Sequence, residues 1–211
     1  KLSYQSEQNR LAAGMSTQSK VLSAKESVSN AEAALVTAES NLASTKESLC
    51  LMLGWGYGAD VEIAELAEPD QSKIAAIDVN ADIQTALENS YAYRLTKKQL
   101  TNARTDSVKE KLSETEKNQR ETISNSVKSA YDSLLLAQSS YEQAQSALAL
   151  QEVSMKSADA KLAAGTITKN TYESQKASYT TAQVTAQTQK LSLLQAMVDY
   201  DWAVNGLASA E

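Results

Sequence analysis

From Ile123 to Leu162, apolar side chains recur in alternating steps of four and three. They fall at Ile123, Val127, Ala130, Leu134, Ala137, Tyr141, Ala144, Leu148, Met155, Ala158 and Leu162, and only Gln151 interrupts the row. This heptad seam keeps one helix face turned toward a partner helix. At ~1.5 Å per residue the stretch is a rod about 60 Å long. A rod has no compact core of its own, so it needs a partner. The run ends at Lys161-Leu162-Ala163-Ala164-Gly165-Thr166-Ile167-Thr168, and a second helical run follows from about Lys169 to Asn205. The pattern predicts a long antiparallel hairpin turned at Gly165.

The same pattern occurs earlier. A helix is expected from about Gln18 to Leu53, with its seam at Val21, Ala24, Val28, Ala31, Leu35, Ala38, Leu42, Thr45, Leu49 and Met52. Lys1 to Ala13 reads as the last turns of a helix whose beginning is missing. Between these two lies Arg10-Leu11-Ala12-Ala13-Gly14-Met15-Ser16-Thr17. Gly14 suits the left-handed position after a helix, and Ser16 or Thr17 suits the next N-cap. Shifting this seam by 151 positions lands on Tyr172, Gln175, Tyr179, Ala182, Ala186, Gln189, Leu193, Ala196, Tyr200 and Ala203, most of them apolar or aromatic. The two turns match as well, basic-Leu-Ala-Ala-Gly in both, with a Thr following. The chain therefore reads as an internal duplication of a helix–turn–helix hairpin.

The predicted fold is all-α and elongated: two duplicated antiparallel coiled-coil hairpins with a small irregular segment between them. The first hairpin takes residues 1–54, the connector 55–90 and the second hairpin 91–211. The first copy stops at Gly54-Trp55-Gly56-Tyr57-Gly58, whose aromatics are expected to plug the hairpin base. Val61 to Leu66 alternates apolar and acidic residues and reads as a short strand. Pro69 breaks any helix, and Asp78 or Asn80 is placed to cap a short helix through Leu87. From Tyr91 to Leu162 there is no Pro and no Gly. The simplest expectation there is one helix of ~70 residues, on the order of 100 Å long. Within it Lys109 to Thr122 loses the seam, and reads either as a solvated helical stretch or as a loop joining two helices.

Composition sharpens this picture. One Pro, six Gly and no Phe or His among 211 residues is a long-helix composition. A net charge of −6 and a pI near 4.9, with acids and bases interspersed, argue against nucleic acid as the main partner. Cys50 is the only cysteine, so no intrachain disulfide forms; on its apolar helix it reads as a packed residue. No run of about 18 apolar residues predicts a membrane-crossing helix. Without His, catalytic triads and His-ligated metal sites are excluded, and no glycine-rich phosphate loop is present. Glu114, Glu116, Asp199 and Asp201 read as solvated helix charges. The sequence thus points away from an enzyme, with no catalytic, cofactor or metal residues.

The order basic-Leu-x-x-Gly-x-x-Thr, then a heptad helix closing on Leu-Gly or Asn-Gly, resembles the outer membrane efflux protein (TolC) family. Val21-Leu22-Ser23-Ala24 looks like that family's helix start, and Leu87-Glu88-Asn89-Ser90-Tyr91 followed by Leu95 and Leu100 looks like the opening of its second repeat. The resemblance covers essentially the whole chain. It implies a component of a tripartite efflux or type I secretion system, located in the cell envelope outside the cytoplasm. That means the periplasm or outer membrane, or the cell surface if the source lacks an outer membrane. Family members usually form trimers whose hairpin tips dock onto a membrane fusion (adaptor) protein, and through it an inner-membrane transporter. The docking residues implied here are Arg10, Leu11, Gly14, Ser16 and Thr17 in the first tip. In the second they are Lys161, Leu162, Gly165, Thr166 and Thr168. The chain departs from the family in two places. Lys109 to Thr122 shows no alternating strand pattern where a pair of barrel strands is expected, so either the barrel has been removed or this is a barrel-less relative. Lys20 and Thr171 stand where the family often has an acidic residue at the tunnel entrance. The other reading of the whole chain is a structural coiled-coil protein or spacer of the cell envelope, with no transport role.

Overall fold

The computed structural model describes residues 1–59, 64 and 67–206. Helices hold 84% of them and no strand occurs among them, so the chain is all-α as the heptads require. The strand expected at Val61 to Leu66 falls, but for Ala64, outside the described residues. The helices are α1 (Leu2–Ala12), α2 (Gln18–Met52), α3 (Gln71–Ala75), α4 (Val79–Asn89), α5 (Tyr91–Asn102), α6 (Asp106–Ala163) and α7 (Lys169–Val204). Packing divides the backbone into two units. One comprises residues 1–65 with 168–170, the other residues 66–167 with 171–211.

In the first unit α1 lies antiparallel on the start of α2. The Lys1 ammonium reaches Glu32 at 3.0 Å, and α1 covers Val21, which is buried, and Ala24 and Val28, which are half-buried. From Ala31 onward the α2 seam is exposed. Thr17 caps α2, its hydroxyl accepting the Lys20 N–H at 3.4 Å. At the other end Gly54 and Gly58 adopt positive φ, and the Gly58 N–H donates to the Glu47 carboxylate at 3.0 Å. This turns the chain back along α2 with its aromatics outward. Trp55 and Tyr57 are exposed, so they do not plug the hairpin base as expected.

In the second unit α6 and α7 form the antiparallel hairpin. The Tyr131 and Tyr200 rings meet at 6.0 Å, and the Gln175 amide donates to Gln151 at 2.8 Å. Every seam position of α6 is buried or half-buried, and so are all ten α7 positions obtained by the 151-residue shift. Gln151, the interruption in the apolar row, is a polar layer shared with seam residue Gln175. A polar pair inside a heptad seam gives up some apolar contact and fixes register. Val127, Leu134 and Leu193 are sealed from solvent; each such side chain contributes ~1.5–3 kcal/mol through burial.

The core of this unit also draws in the short helices. Ile74 of α3, Ile83, Ala86 and Leu87 of α4 and Tyr93 of α5 pack with Val127, Leu134, Tyr141, Leu193, Tyr200 and Ala203. Asp78 caps α4, accepting from Asn80 and Ala81, and Ser90 caps α5. The Tyr200 hydroxyl donates to Asp82 at 2.6 Å, and burial together with that carboxylate pushes its pKa up. Glu68 is held by Lys190 at 2.6 Å and by the Tyr141 hydroxyl at 3.3 Å, which ties the segment before α3 to α6 and α7.

The single helix expected from Tyr91 to Leu162 is instead two. Ala103 leaves the helical region at φ −68°, ψ 131°, and Thr105 at φ −114°, ψ 146° starts α6. The break allows α5 to fold against α6. There the Tyr93 hydroxyl donates to Glu116 at 2.7 Å and accepts from Arg120 at 2.8 Å. Glu116 is therefore a partner in that cluster rather than a solvated charge. Lys109 to Thr122 is helical throughout, and the loop alternative is not adopted there.

Candidate functional site

Both helix ends that carry the repeated motif close in the same way. At the first, the Met15 N–H donates to the Arg10 carbonyl at 2.7 Å and the Gly14 N–H to the Leu11 carbonyl at 2.9 Å. At the second, Thr166 donates to the Lys161 carbonyl at 2.9 Å and Gly165 to the Leu162 carbonyl at 3.0 Å. These are the two bonds of a Schellman closure, which requires a left-handed residue at the position after the cap. Gly14 has φ 72° and Gly165 φ 69°. Each motif position thus has a local task. The basic residue offers its carbonyl and places its charge at the negative helix end. The leucine offers the second carbonyl and half-buries its side chain, and the glycine makes the turn.

The surfaces of the two bends are open. A Cβ built on Gly14 or Gly165 meets no atom within 4 Å. Arg10, Gly14, Thr17, Lys161, Gly165, Thr166 and Thr168 are exposed, while Leu11, Ser16 and Leu162 are half-buried. Thr166 turns its hydroxyl back to the Lys161 carbonyl at 2.9 Å. Thr168 is the residue before α7.

The side chains at the two bends differ. In the first, Glu7 gathers two partners: Arg10 at 3.1 Å and the Ser16 hydroxyl at 2.5 Å. The Ser16 hydrogen bond, opposed in part by desolvation and helped by the charges of Arg10 and Lys20, holds the Glu7 carboxyl below the usual carboxylate range. In the second, the positions 151 residues on are Ala158, Lys161 and Ile167, so no acid meets the basic residue in that way. A groove of about 450 Å³ opens there between α6 and α7, lined by Val153, Ser154, Ser157, Ala158, Lys161, Ile167, Thr171 and Gln175. Of this groove, sequence reasoning gives a docking role only to Lys161; Ala158 and Gln175 read there as seam positions, Ile167 as part of the turn and Thr171 as a tunnel-entrance position. The missed signal is the run of small residues at Ser154, Ser157 and Ala158, spaced to share one helix face. Glu7 was missed too, although it sits three residues before Arg10.

The same closure also ends α2, where Trp55 donates to Cys50 at 2.9 Å and Gly54 to Leu51 at 3.0 Å. The hydrogen-bond pattern alone therefore does not mark a docking tip. What sets the two bends apart is the full repeated motif and the antiparallel helix that follows each.

No group of three or more potential metal-ligating side chains occurs among the described residues, and none of the described helices is long and apolar enough to cross a membrane. Compared with protein-family models and with curated proteins, the sequence matches none of them.

Proposed function

We propose that this chain is a TolC-like component of a tripartite efflux or type I secretion system, whose two hairpin tips dock onto a membrane fusion (adaptor) protein. The observation that carries this is the pair of open glycine bends. They repeat 151 residues apart with the same two hydrogen bonds, and each lies at the end of an antiparallel helix pair. Small residues and an uncovered glycine let another helical hairpin approach the backbone closely. The groove beside Gly165 gives the second bend room for such a partner. In this reading the protein works in the cell envelope, joined through the adaptor to an inner-membrane transporter, with a homotrimer as the assembly the resemblance implies. Its chemistry is binding and conduction rather than catalysis.

The test is a pull-down with the adaptor from the same source. Gly165→Asp is expected to weaken capture while leaving helicity nearly unchanged, since the added side chain enters open space. Undiminished capture removes the docking role. The second reading, a structural coiled-coil spacer, draws on the closure at Gly54, which shows the same turn chemistry serving simply as a helix stop. It predicts that any helix-stopping turn is tolerated at Gly14 or Gly165.

A further inference from the structure

The second bend keeps a cation and loses its acid. Each residue lining the groove beside Gly165 has a counterpart 151 positions earlier, between Leu2 and Ala24, so the two bends compare residue for residue. In the first, the half-buried Glu7 carboxylate accepts from Arg10 at 3.1 Å and from the Ser16 hydroxyl at 2.5 Å. The charge of Lys20 also favours its ionised form. In the second, Glu7, Ser16 and Lys20 are replaced by Ala158, Ile167 and Thr171, and only the basic residue is retained, as Lys161. The groove opens where the carboxylate arm is missing, with Ala158 in its wall. Lys161 is exposed and forms no ion pair among the described residues. The acid nearest to it in sequence, Asp159, accepts from the Tyr172 hydroxyl.

We infer that the docking partner places a carboxylate in this groove, supplying from outside the acid that the first bend supplies from Glu7. The inference rests on the docking reading and names what the partner carries: a helical segment with a glutamate or aspartate beside an aliphatic side chain. The carboxylate pairs with Lys161, as Glu7 pairs with Arg10 in the first bend. Val153, Ala158 and Ile167 give the aliphatic side chain an apolar bed, and the small Ser154 and Ser157 leave clearance for the partner's backbone. A basic residue brought to the same place is repelled by Lys161, so the groove selects sign as well as size. The first bend has its charge satisfied within the chain and offers contact without this charge recognition.

Calorimetric titration of the 211-residue chain with the adaptor from the same source tests this, with circular dichroism recorded on each variant. Lys161→Gln should weaken binding by about tenfold and flatten its salt dependence, whereas Arg10→Gln should change it by less than about twofold. Ala158→Glu with Ile167→Ser rebuilds the first bend's network in the second and should abolish binding at unchanged helicity. If Gly165→Asp weakens binding while Lys161→Gln and the rebuilt bend bind like the parent chain, docking stands and carboxylate recognition is overturned. Equal losses in Arg10→Gln and Lys161→Gln overturn it as well. An adaptor that does not bind the parent chain at all overturns the docking reading, and this inference with it.

Discussion

The two glycine bends share a backbone and differ in what surrounds it. Around Gly14 the charge is satisfied within the chain: Glu7 takes both Arg10 and Ser16. Around Gly165 the corresponding acid is Ala158 and the serine is Ile167, and a groove remains. The seam of α7 is covered along its length, and that of α2 only at its first three positions. A duplication thus preserves what the turn needs, two carbonyls and a left-handed glycine, while the side chains around it diverge.

The largest expected contrast is in the seams. Leu134→Ala or Leu193→Ala removes a side chain sealed in the α6/α7 core and should cost ~2–5 kcal/mol. Leu42→Ala, on the open α2 face, should change the stability of the dilute chain by less than ~0.5 kcal/mol. Chemical unfolding of the three variants checks this, and equal losses would mean that the α2 seam is covered in solution.

A smaller contrast separates the glycines. All three have positive φ, but a Cβ on Gly206 comes within 3.1 Å of the Ser90 backbone nitrogen, whereas one on Gly14 or Gly165 meets nothing. Gly206→Ala should therefore lose roughly 1–2 kcal/mol in backbone strain plus the cost of shifting the α4–α5 junction. Gly165→Ala should lose only the strain. Thermal melts showing the reverse order would contradict the packing at Asn89-Ser90.

The smallest effect separates the bends by pH. The Glu7 pKa is lowered on folding, so the anchoring it gives is complete above the ordinary carboxylate range and is lost as pH falls through it toward the lowered value. Protection of the Met15 and Ser16 amides, taken relative to their intrinsic exchange rates, should fall as pH drops below the ordinary carboxylate range, while that of Thr166 stays constant. Parallel behaviour of the two bends would mean that the Glu7 network does not hold the first one.

Much of this architecture was legible because heptad spacing is a direct image of helix contact. The shift of 151 residues located a seam in which even Gln175 and Gln189 are half-buried. Other features were hidden because they arise from tertiary packing. Nothing in Ala103-Arg104-Thr105 forbids a helix; the chain breaks there so that Tyr93 can reach Glu116 and Arg120. The only local hint is Thr105 followed by Asp106, an acceptable helix start. Trp55 and Tyr57 were misplaced for a related reason: the Glu47 carboxylate, rather than their own burial, directs the turn beyond α2. At the candidate site the motif marked the backbone of both bends, but the groove beside Gly165 depends on which side chains are small, and no motif records that.

Docking is tested most directly by titrating the adaptor's helical hairpin against this chain and against its Gly14→Asp/Gly165→Asp variant, with circular dichroism recorded on both. Saturable binding to the parent chain, lost in a variant of unchanged helicity, is the expected result. Equal binding to the two would contradict docking at the bends.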